Sequence, residues 1–296
     1  MTFLFSKRWE SPHQVLCIVK TFINDLKRHW KERPFIWSEL QGDSTKKIPL
    51  PSGGKVLVLG PHPDDPECFA VTVRCLMHSG CDIWYTIVSM SPSGVENRYA
   101  EQWQGDRTAT LEKRKSEIRR REQTSAAEMF GVTRGRLAFL GIEETGELDS
   151  PRNLTIMKGH LESVAPDIVI MPSGNDSNQT HLWVHRVFRE CIPRVALEKE
   201  KPVVALYGED PKTIAMRPDL FVLFGEKNGE WKRVLLRTHA SQQQRNLDRR
   251  GIGFDERILG MNRLRYSLLR EGVSAEEGSG KYAEAFEIEW FDVPPK

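Results

Sequence analysis

Several features are missing from this chain of 296 residues, and each absence removes a class of function. No apolar run approaches the roughly 20 residues that a membrane-spanning helix needs. The first ten residues place Lys7, Arg8 and Trp9 where the apolar stretch of a secretory leader would lie, so no signal peptide is expected and the protein is expected to stay in the cytoplasm. There are only five cysteines (Cys17, Cys68, Cys75, Cys81 and Cys191), scattered without a Cys-x-x-Cys pair. An odd, unpatterned set fits reduced thiols better than a disulfide framework. Net charge is nearly absent too: 43 Lys and Arg against 41 Asp and Glu leave +2, which gives no electrostatic reason to expect a nucleic-acid partner. The local run Lys113, Arg114, Lys115, Arg119, Arg120 and Arg121 is interleaved with Glu112, Glu117 and Glu122. Mixed signs at that spacing read as a solvated helix face.

What is present is an ordinary globular composition, 39% hydrophobic and 28% charged. That is enough for one large core, with or without an appendage. Residues 1–50 read as such an appendage. Ser11 and Pro12 suit a helix start, and Val15, Ile18, Val19, Phe22, Ile23, Leu26 and Trp30 then repeat at helical spacing. The stripe needs cover, from the core or from a second subunit, which makes this helix the candidate contact for a homo-oligomer; attachment to a membrane surface is the weaker reading.

Residues 51–296 read as the main domain. Lys55-Val-Leu-Val-Leu-Gly60 is a short apolar run ended by Gly-Pro, as expected of a strand buried on both faces. Similar runs occupy 83–90, 136–142, 167–172, 203–208 and 219–225. Helix-length stretches lie at 67–79, 111–130, 153–164 and 182–198. Alternation of this kind predicts an α/β fold, a mainly parallel sheet with helices on both faces. Loops are expected at 251–253 and 276–280.

Two loops concentrate chemistry. Directly after the first buried run comes Gly60-Pro61-His62-Pro63-Asp64-Asp65-Pro66-Glu67, with one imidazole and three carboxylates in six residues. Ligands of such sheets bind at the carboxyl ends of strands, and two prolines stiffen this loop. Adjacent buried carboxylates repel unless they share a proton or a cation. The simpler alternative is an acidic cap for the next helix, which accounts for Asp65 or Glu67 and leaves His62 and Asp64 unexplained. The second loop, Asn175-Asp-Ser-Asn178-Gln-Thr-His181-Leu-Trp-Val-His185, also follows a strand. His62, Asp65 and His181 together would make a two-imidazole, one-carboxylate set with an open position, the pattern of catalytic zinc. His185, four residues beyond His181, shares its helix face and is either a further ligand or a residue packed under Trp183.

His62-Pro-Asp-Asp-x-Glu67 after a buried strand closely resembles the signature of the PIG-L, or LmbE-like, de-N-acetylases. The resemblance runs from about Lys55 to Phe286. It includes Arg119-x-x-Glu122 leading to Gly131-Val132, then Arg237-x-His239-x-Ser241-Gln242, and closes on Gly280-x-Tyr282-Ala-Glu-Ala-Phe286. The resemblance implies a Rossmann-like fold and a zinc ion, or another divalent metal, held by His62, Asp65 and His181, with Asp64 as general base. It also exposes a departure. Asn178 stands where the family often has a histidine assigned as general acid or oxyanion partner, and Thr180 where it often has Asp. An amide can donate to an oxyanion but cannot deliver a proton at neutral pH, so either His185, His239 or Asp64 itself protonates the leaving amine, or activity is impaired.

The expected activity is hydrolysis of the amide of an N-acetylated amino sugar, such as an N-acetylglucosaminyl conjugate. The rival is a metal-binding pseudoenzyme or sugar-binding module with impaired hydrolysis. A nucleotide-binding oxidoreductase is disfavoured, because no glycine-rich phosphate turn follows the first strand. Arg98, Tyr99, Trp103, Arg119 and Trp183 are candidates to line a sugar pocket.

Overall fold

The computed structural model describes residues 35–38, 53–144, 146–272 and 281–293. The helix expected at 11–30 and the loop at 276–280 lie outside them. Eight strands form one sheet: β1 (Phe35–Ser38), β2 (Lys55–Gly60), β3 (Asp82–Ile87), β4 (Leu137–Phe139), β5 (Ile168–Pro172), β6 (Val203–Gly208), β7 (Leu220–Phe224) and β8 (Tyr282–Phe291). Their order is β1-β7-β8-β6-β5-β2-β3-β4. All pairings are parallel except those of β8, which runs antiparallel between β6 and β7. The sheet is therefore mainly parallel, as the alternation of runs predicted. Of residues 1–50, only 35–38 are described, and they add the edge strand β1 beside β7.

Burial on both faces explains the apolar runs. Along β2, Val56 and Val58 enter one core, and Leu57 and Leu59 enter the other. Ile168 and Ile170 of β5 divide from Val169 and Met171 in the same way. One core is closed by α4 (Pro151–Val164) and α5 (Gln179–Lys199), through Met157, Leu161, Val184 and Phe188. The other is closed by α1 (Ala70–His78), α3 (Leu111–Met129), α6 (Glu226–Arg237) and α8 (Phe254–Gly272), while α2 (Asn97–Gln102) packs on α3 through Ala100 and Ile118 and α7 (Ala240–Arg250) lies beside the cleft described below. The helix starts carry their own caps: the side chains of Thr110, Ser150 and Asn178 each accept from main-chain N–H groups in the following turn.

From β2 the chain moves outward to β3 and β4, then returns to lay β5 on the opposite side of β2. The crevice between the carboxyl ends of β2 and β5 is the topological switch point, where an open α/β sheet accepts ligands. Gly60 makes the turn out of β2 tight enough, since a Cβ there would meet Pro66 at 2.7 Å.

Beneath this turn lies a buried ion pair. The Glu284 carboxylate of β8 accepts from Val71 N (3.0 Å), Thr72 N (2.8 Å), Thr72 Oγ1 (2.6 Å) and Lys232 Nζ (2.6 Å). Lys232 also donates to Cys68 O and Asn262 Oδ1. The pair pins the start of α1, and with it the exit of the loop after β2. Both groups are essentially inaccessible to solvent, so removing one strands the other. Lys232→Met is expected to lower the unfolding free energy by about 3–5 kcal/mol, read from denaturant titration. Loss of under about 1 kcal/mol would show that the pair is not needed.

Candidate functional site

The loop after β2 and the segment from β5 into α5 meet at the crevice. His62 Nδ1 lies 3.1 Å from Asp65 Oδ2, His181 Nε2 lies 3.0 Å from the same oxygen, and the two ring nitrogens are 3.2 Å apart. All three side chains are buried. Their outward nitrogens are tied to further carboxylates. His62 Nε2 contacts Glu144 Oε1, and His181 Nδ1 lies 2.9 Å from Asp176 Oδ2 and 3.4 Å from Asp210 Oδ2. Each imidazole is thereby fixed in orientation, with its inward nitrogen facing Asp65.

Charge at this point is dense. Burial opposes ionisation of Asp65, yet His181, Lys212 and His62 outweigh it and hold the carboxyl well below its usual range. Burial also opposes the ionised Glu144, but its hydrogen bond to His62 brings the pKa down to about 2. Burial lifts Asp210 to about 6, the neighbouring His181 and Lys212 restraining the rise. Burial disfavours a charged His181, and Asp65 more than compensates, lifting it to about 9. Lys212 is likewise held protonated against burial by Asp65 and Asp210. Its Nζ sits 2.9 Å from Asp65 Oδ1 and 2.9 Å from His181 Nε2. That last contact is attractive only while Nε2 keeps its lone pair, so the Lys212 contact and an imidazolium at His181 exclude each other.

Asp64 has φ +88, a left-handed backbone that a non-glycine residue adopts only when its surroundings impose it. Its N–H donates to Gln123 Oε1 at 3.2 Å, and its carboxylate is paired with the Arg119 guanidinium, which also reaches Pro63 O and Ser91 O. Gln123 in turn donates to Glu67 (2.9 Å), whose other oxygen contacts His239 Nε2 at 3.1 Å. These groups come from the inward stripe of α3, which comprises Lys115, Ile118, Arg119, Glu122, Gln123, Ala126 and Ala127. The mixed-charge run is therefore only partly the solvated face that its pattern predicts: Arg119 and Glu122 are turned inward to hold the site.

Among the residues singled out in the sequence, the crevice gathers His62, Asp64, Asp65 and Asn178 along a cleft of about 380 Å³, with His181 at its floor. Asn178 uses its side-chain oxygen to cap α5, accepting from Thr180 N and His181 N. The two candidate acids are elsewhere. His185 lies against Tyr207, with 4.6 Å between ring centroids and the rings tilted by 58°, and packs against Gly174, while burial lowers its pKa. His239 is fully buried against Glu67 and Phe254. Neither lines the cleft. Of the sugar-pocket candidates only Arg119 does; Trp183 is buried in the α4–α5 core and bonded to Asp149. Glu144, Asp210 and Lys212 escaped the sequence reading. Each lies just past the carboxyl end of a strand, β4 or β6, so the rule that picked out His62 and His181 was available for them as well.

Residues 57–192 match the family model PIG-L, described as GlcNAc-PI de-N-acetylase. No curated protein matches the chain. Among solved structures, N,N'-diacetylchitobiose deacetylase from Pyrococcus horikoshii is 18% identical, covering 80% of this chain and 84% of its own, with a TM-score of 0.59. GalB, the 4-carboxy-2-hydroxymuconate hydratase of Pseudomonas putida KT2440, is 20% identical over 79% and 95%, with a TM-score of 0.60. The zinc-inhibited teicoplanin deacetylase Orf2 is 15% identical over 80% and 98%, at 0.52. At these identities the likeness is one of fold.

Glu144 yields a prediction on pH. Its folded pKa lies below the unfolded value of 4.5, so its contribution to stability is present above pH 4.5 and lost as pH falls through about 2. In chelator, Glu144→Gln should melt below the parent protein at neutral pH, and the gap should close between pH 4.5 and 2. A gap unchanged across that window would mean that the contact with His62 is not ionic.

Proposed function

We propose that the chain, whose residues 57–192 match the PIG-L family model, is a metal-dependent de-N-acetylase acting on an N-acetylated amino sugar, with His62, Asp65 and His181 as the metal ligands. The observation that carries this reading is the donor set. Three corners of a tetrahedron with bonds of about 2.0 Å are about 3.3 Å apart, and the three donor atoms lie 3.0 to 3.2 Å from one another. Both histidines have the outer nitrogen on a carboxylate, the arrangement that orients metal-binding imidazoles. The Lys212 ammonium, a cation itself, already rests against two of the three residues. When bound, a divalent ion supplies Lewis-acid chemistry, acidifying a water and polarising an acyl oxygen; zinc is the proposed ion.

The chain's own groups supply the rest. Asp64 takes a proton from the water as its oxygen attacks the acyl carbon, a role worth roughly 10²–10⁴-fold. Arg119 and the Gln123 contact hold that carboxylate in place. Asn178 has committed its oxygen to the helix cap, so its amide N–H group is the half available to donate to the developing oxyanion. As the carbon–nitrogen bond breaks, Asp64 returns its proton to the departing nitrogen, giving a carboxylic acid and a free amine. This assignment to Asp64 follows from the positions of His185 and His239 outside the cleft.

Elemental analysis and acetate release from N-acetylglucosaminides test the proposal together. His62→Ala and His181→Ala are expected to lose the metal. Asp64→Asn should retain it while hydrolysis falls by about 10²-fold or more. Full metal in either histidine variant would overturn the ligand set. Metal binding without hydrolysis of any acetylated sugar would favour a non-catalytic metal-binding protein instead, the reading to which Asn178 in place of a histidine lends support.

Lys212 and a metal call on the same lone pair of His181. Lys212→Met is therefore expected to bind zinc about ten-fold more tightly in chelator competition, the equivalent of about 1.4 kcal/mol of relieved competition. Weaker binding would instead make Lys212 a support of the site.

A further inference from the structure

Away from the paired histidines, the cleft is bordered by arginines. Arg245 and Arg250 project from α7 and Arg257 from α8, and all three line the same cleft as Asp64 and Asp65. The cleft holds five cationic side chains and three carboxylates. Two of the cations are neutralised locally: Arg119 pairs with Asp64, and Lys212 with Asp65. The third carboxylate, Asp210, points its Oδ2 towards His181 and uses Oδ1 on the main chain of Lys212 and Thr213.

The arginines of the rim have no comparable partners. Arg257 donates to the main-chain oxygen of Pro211 at 3.2 Å, and Arg250 to Asn246 Oδ1 at 3.4 Å; among the described residues neither forms an ion pair. Arg245 donates to Gly94 O at 3.1 Å and lies 3.4 Å from Glu96, a carboxylate that Arg249 approaches more closely, at 2.7 Å. Gly94 is where two guanidiniums crowd the backbone: a Cβ there would meet Arg119 Nη1 at 2.5 Å and Arg245 Nη1 at 3.5 Å. Burial, and then the charge of Arg250, lower the pKa of Arg257; burial and Arg249 do the same to Arg245.

Ordinary surface arginines spread apart or pair with carboxylates. Here the part-buried guanidiniums of Arg245 and Arg257 and the exposed Arg250 border one cleft, where an anion would relieve their mutual repulsion. A guanidinium offers a planar fork of donors matched to phosphate and carboxylate oxygens. Residues 245–257 lie outside the 57–192 segment matched by the family model.

We propose that Arg245, Arg250 and Arg257 form a subsite for an oxyanion, a phosphate or a carboxylate, carried by the substrate on the side remote from the acyl group. The placement remote from the acyl group rests on the deacetylase reading; the anion site itself does not. Binding of the metal-loaded full-length protein to N-acetylglucosamine 1-phosphate, N-acetylmuramic acid and methyl N-acetylglucosaminide, measured by calorimetry, provides the test. Inorganic phosphate serves as competitor, and acetate release is followed in the same samples. The anionic sugars are expected to bind about ten-fold or more tightly than the neutral one, the better of the two identifying the anion. Arg250→Met/Arg257→Met should abolish the preference and the competition by phosphate, leaving the neutral sugar's affinity within about two-fold. Arg257→Lys, which keeps the charge and loses the fork, should fall between, and it guards against misfolding of the double variant. Equal binding of neutral and anionic sugars, a preference that survives the double variant, or no binding of any anion, phosphate included, overturns the subsite. A preference for anions without acetate release leaves the subsite standing and removes the deacetylase reading; acetate release without the preference does the reverse.

Discussion

The carboxylate of Asp65 sits where the chain can least readily accommodate a charge, buried at the carboxyl ends of β2 and β5, and much of the surrounding polar structure follows from keeping it ionised. Two imidazoles and an ammonium converge on its oxygens. Those imidazoles need orientation, and Glu144, Asp176 and Asp210 provide it from three different loops. Each added carboxylate raises the same electrostatic difficulty again. A cluster of this composition is stable only with strong positive charge at its centre. In the structure Lys212 contributes part of that charge, and a divalent ion is the natural remainder. Stability and cation binding are thus one problem here: the groups that would hold the ion are those that most need it.

A second constraint is positional. Asp64 occupies an unfavourable backbone conformation, and the means of holding it there are spread along the chain from Glu67 to His239. The relay runs from His239 to Glu67, on to Gln123 and into the Asp64 N–H. Beside it Glu122 accepts from Ser241 N and Ser241 Oγ, both at 2.7 Å, which ties α3 to the start of α7. The segment Arg237-x-His239-x-Ser241-Gln242 therefore serves geometry. A histidine in a resembling motif suggests chemistry, whereas His239 is buried against Glu67 and does not line the cleft. Further below, the Lys232–Glu284 pair does the same for the start of α1.

The parallel sheet was legible because β2, β5, β6 and β7 are buried on both faces, so that their residues are continuously apolar and need no alternation to be recognised. The two loops bearing His62 and His181 were legible because strand ends in such sheets are where ligands bind. What escaped notice has a common cause. Glu144, Asp210 and Lys212 are single residues in unremarkable loops, and only the return of the chain across β2 places them within contact of His181 and His62. Antiparallel β8 entered the sequence reading through the resemblance at Tyr282–Phe286 alone, since its Glu284 interrupts the apolar pattern in order to cap α1. Arg119 was legible as a candidate for the pocket but its pairing with Asp64 was not: a charged helix looks solvated until its i, i+3 and i+4 positions are seen to face a polar site instead of a core.

Fold likeness alone does not decide the reaction. A hydratase and two deacetylases share this sheet with similar scores, and a metal-activated water with a carboxylate base serves addition to a double bond as well as attack on an amide. The distinction lies in what the walls offer the electrophile. Attack on an amide puts full charge on one oxygen and demands a proton at nitrogen, so it needs a donor beside the oxygen and a carboxylate able to move a proton between two atoms. In the proposed reading Asn178 and Asp64, which both line the cleft, meet those needs. The family match spans both loops that carry these residues, and it is this match, with their geometry, that favours hydrolysis over hydration. The same cleft then changes sign from floor to rim, acidic around His181 and basic around Arg257. On the proposed reading, a ligand spanning the two is neutral at the end that reacts and negative at the other, which would restrict the candidate substrates more than the fold does.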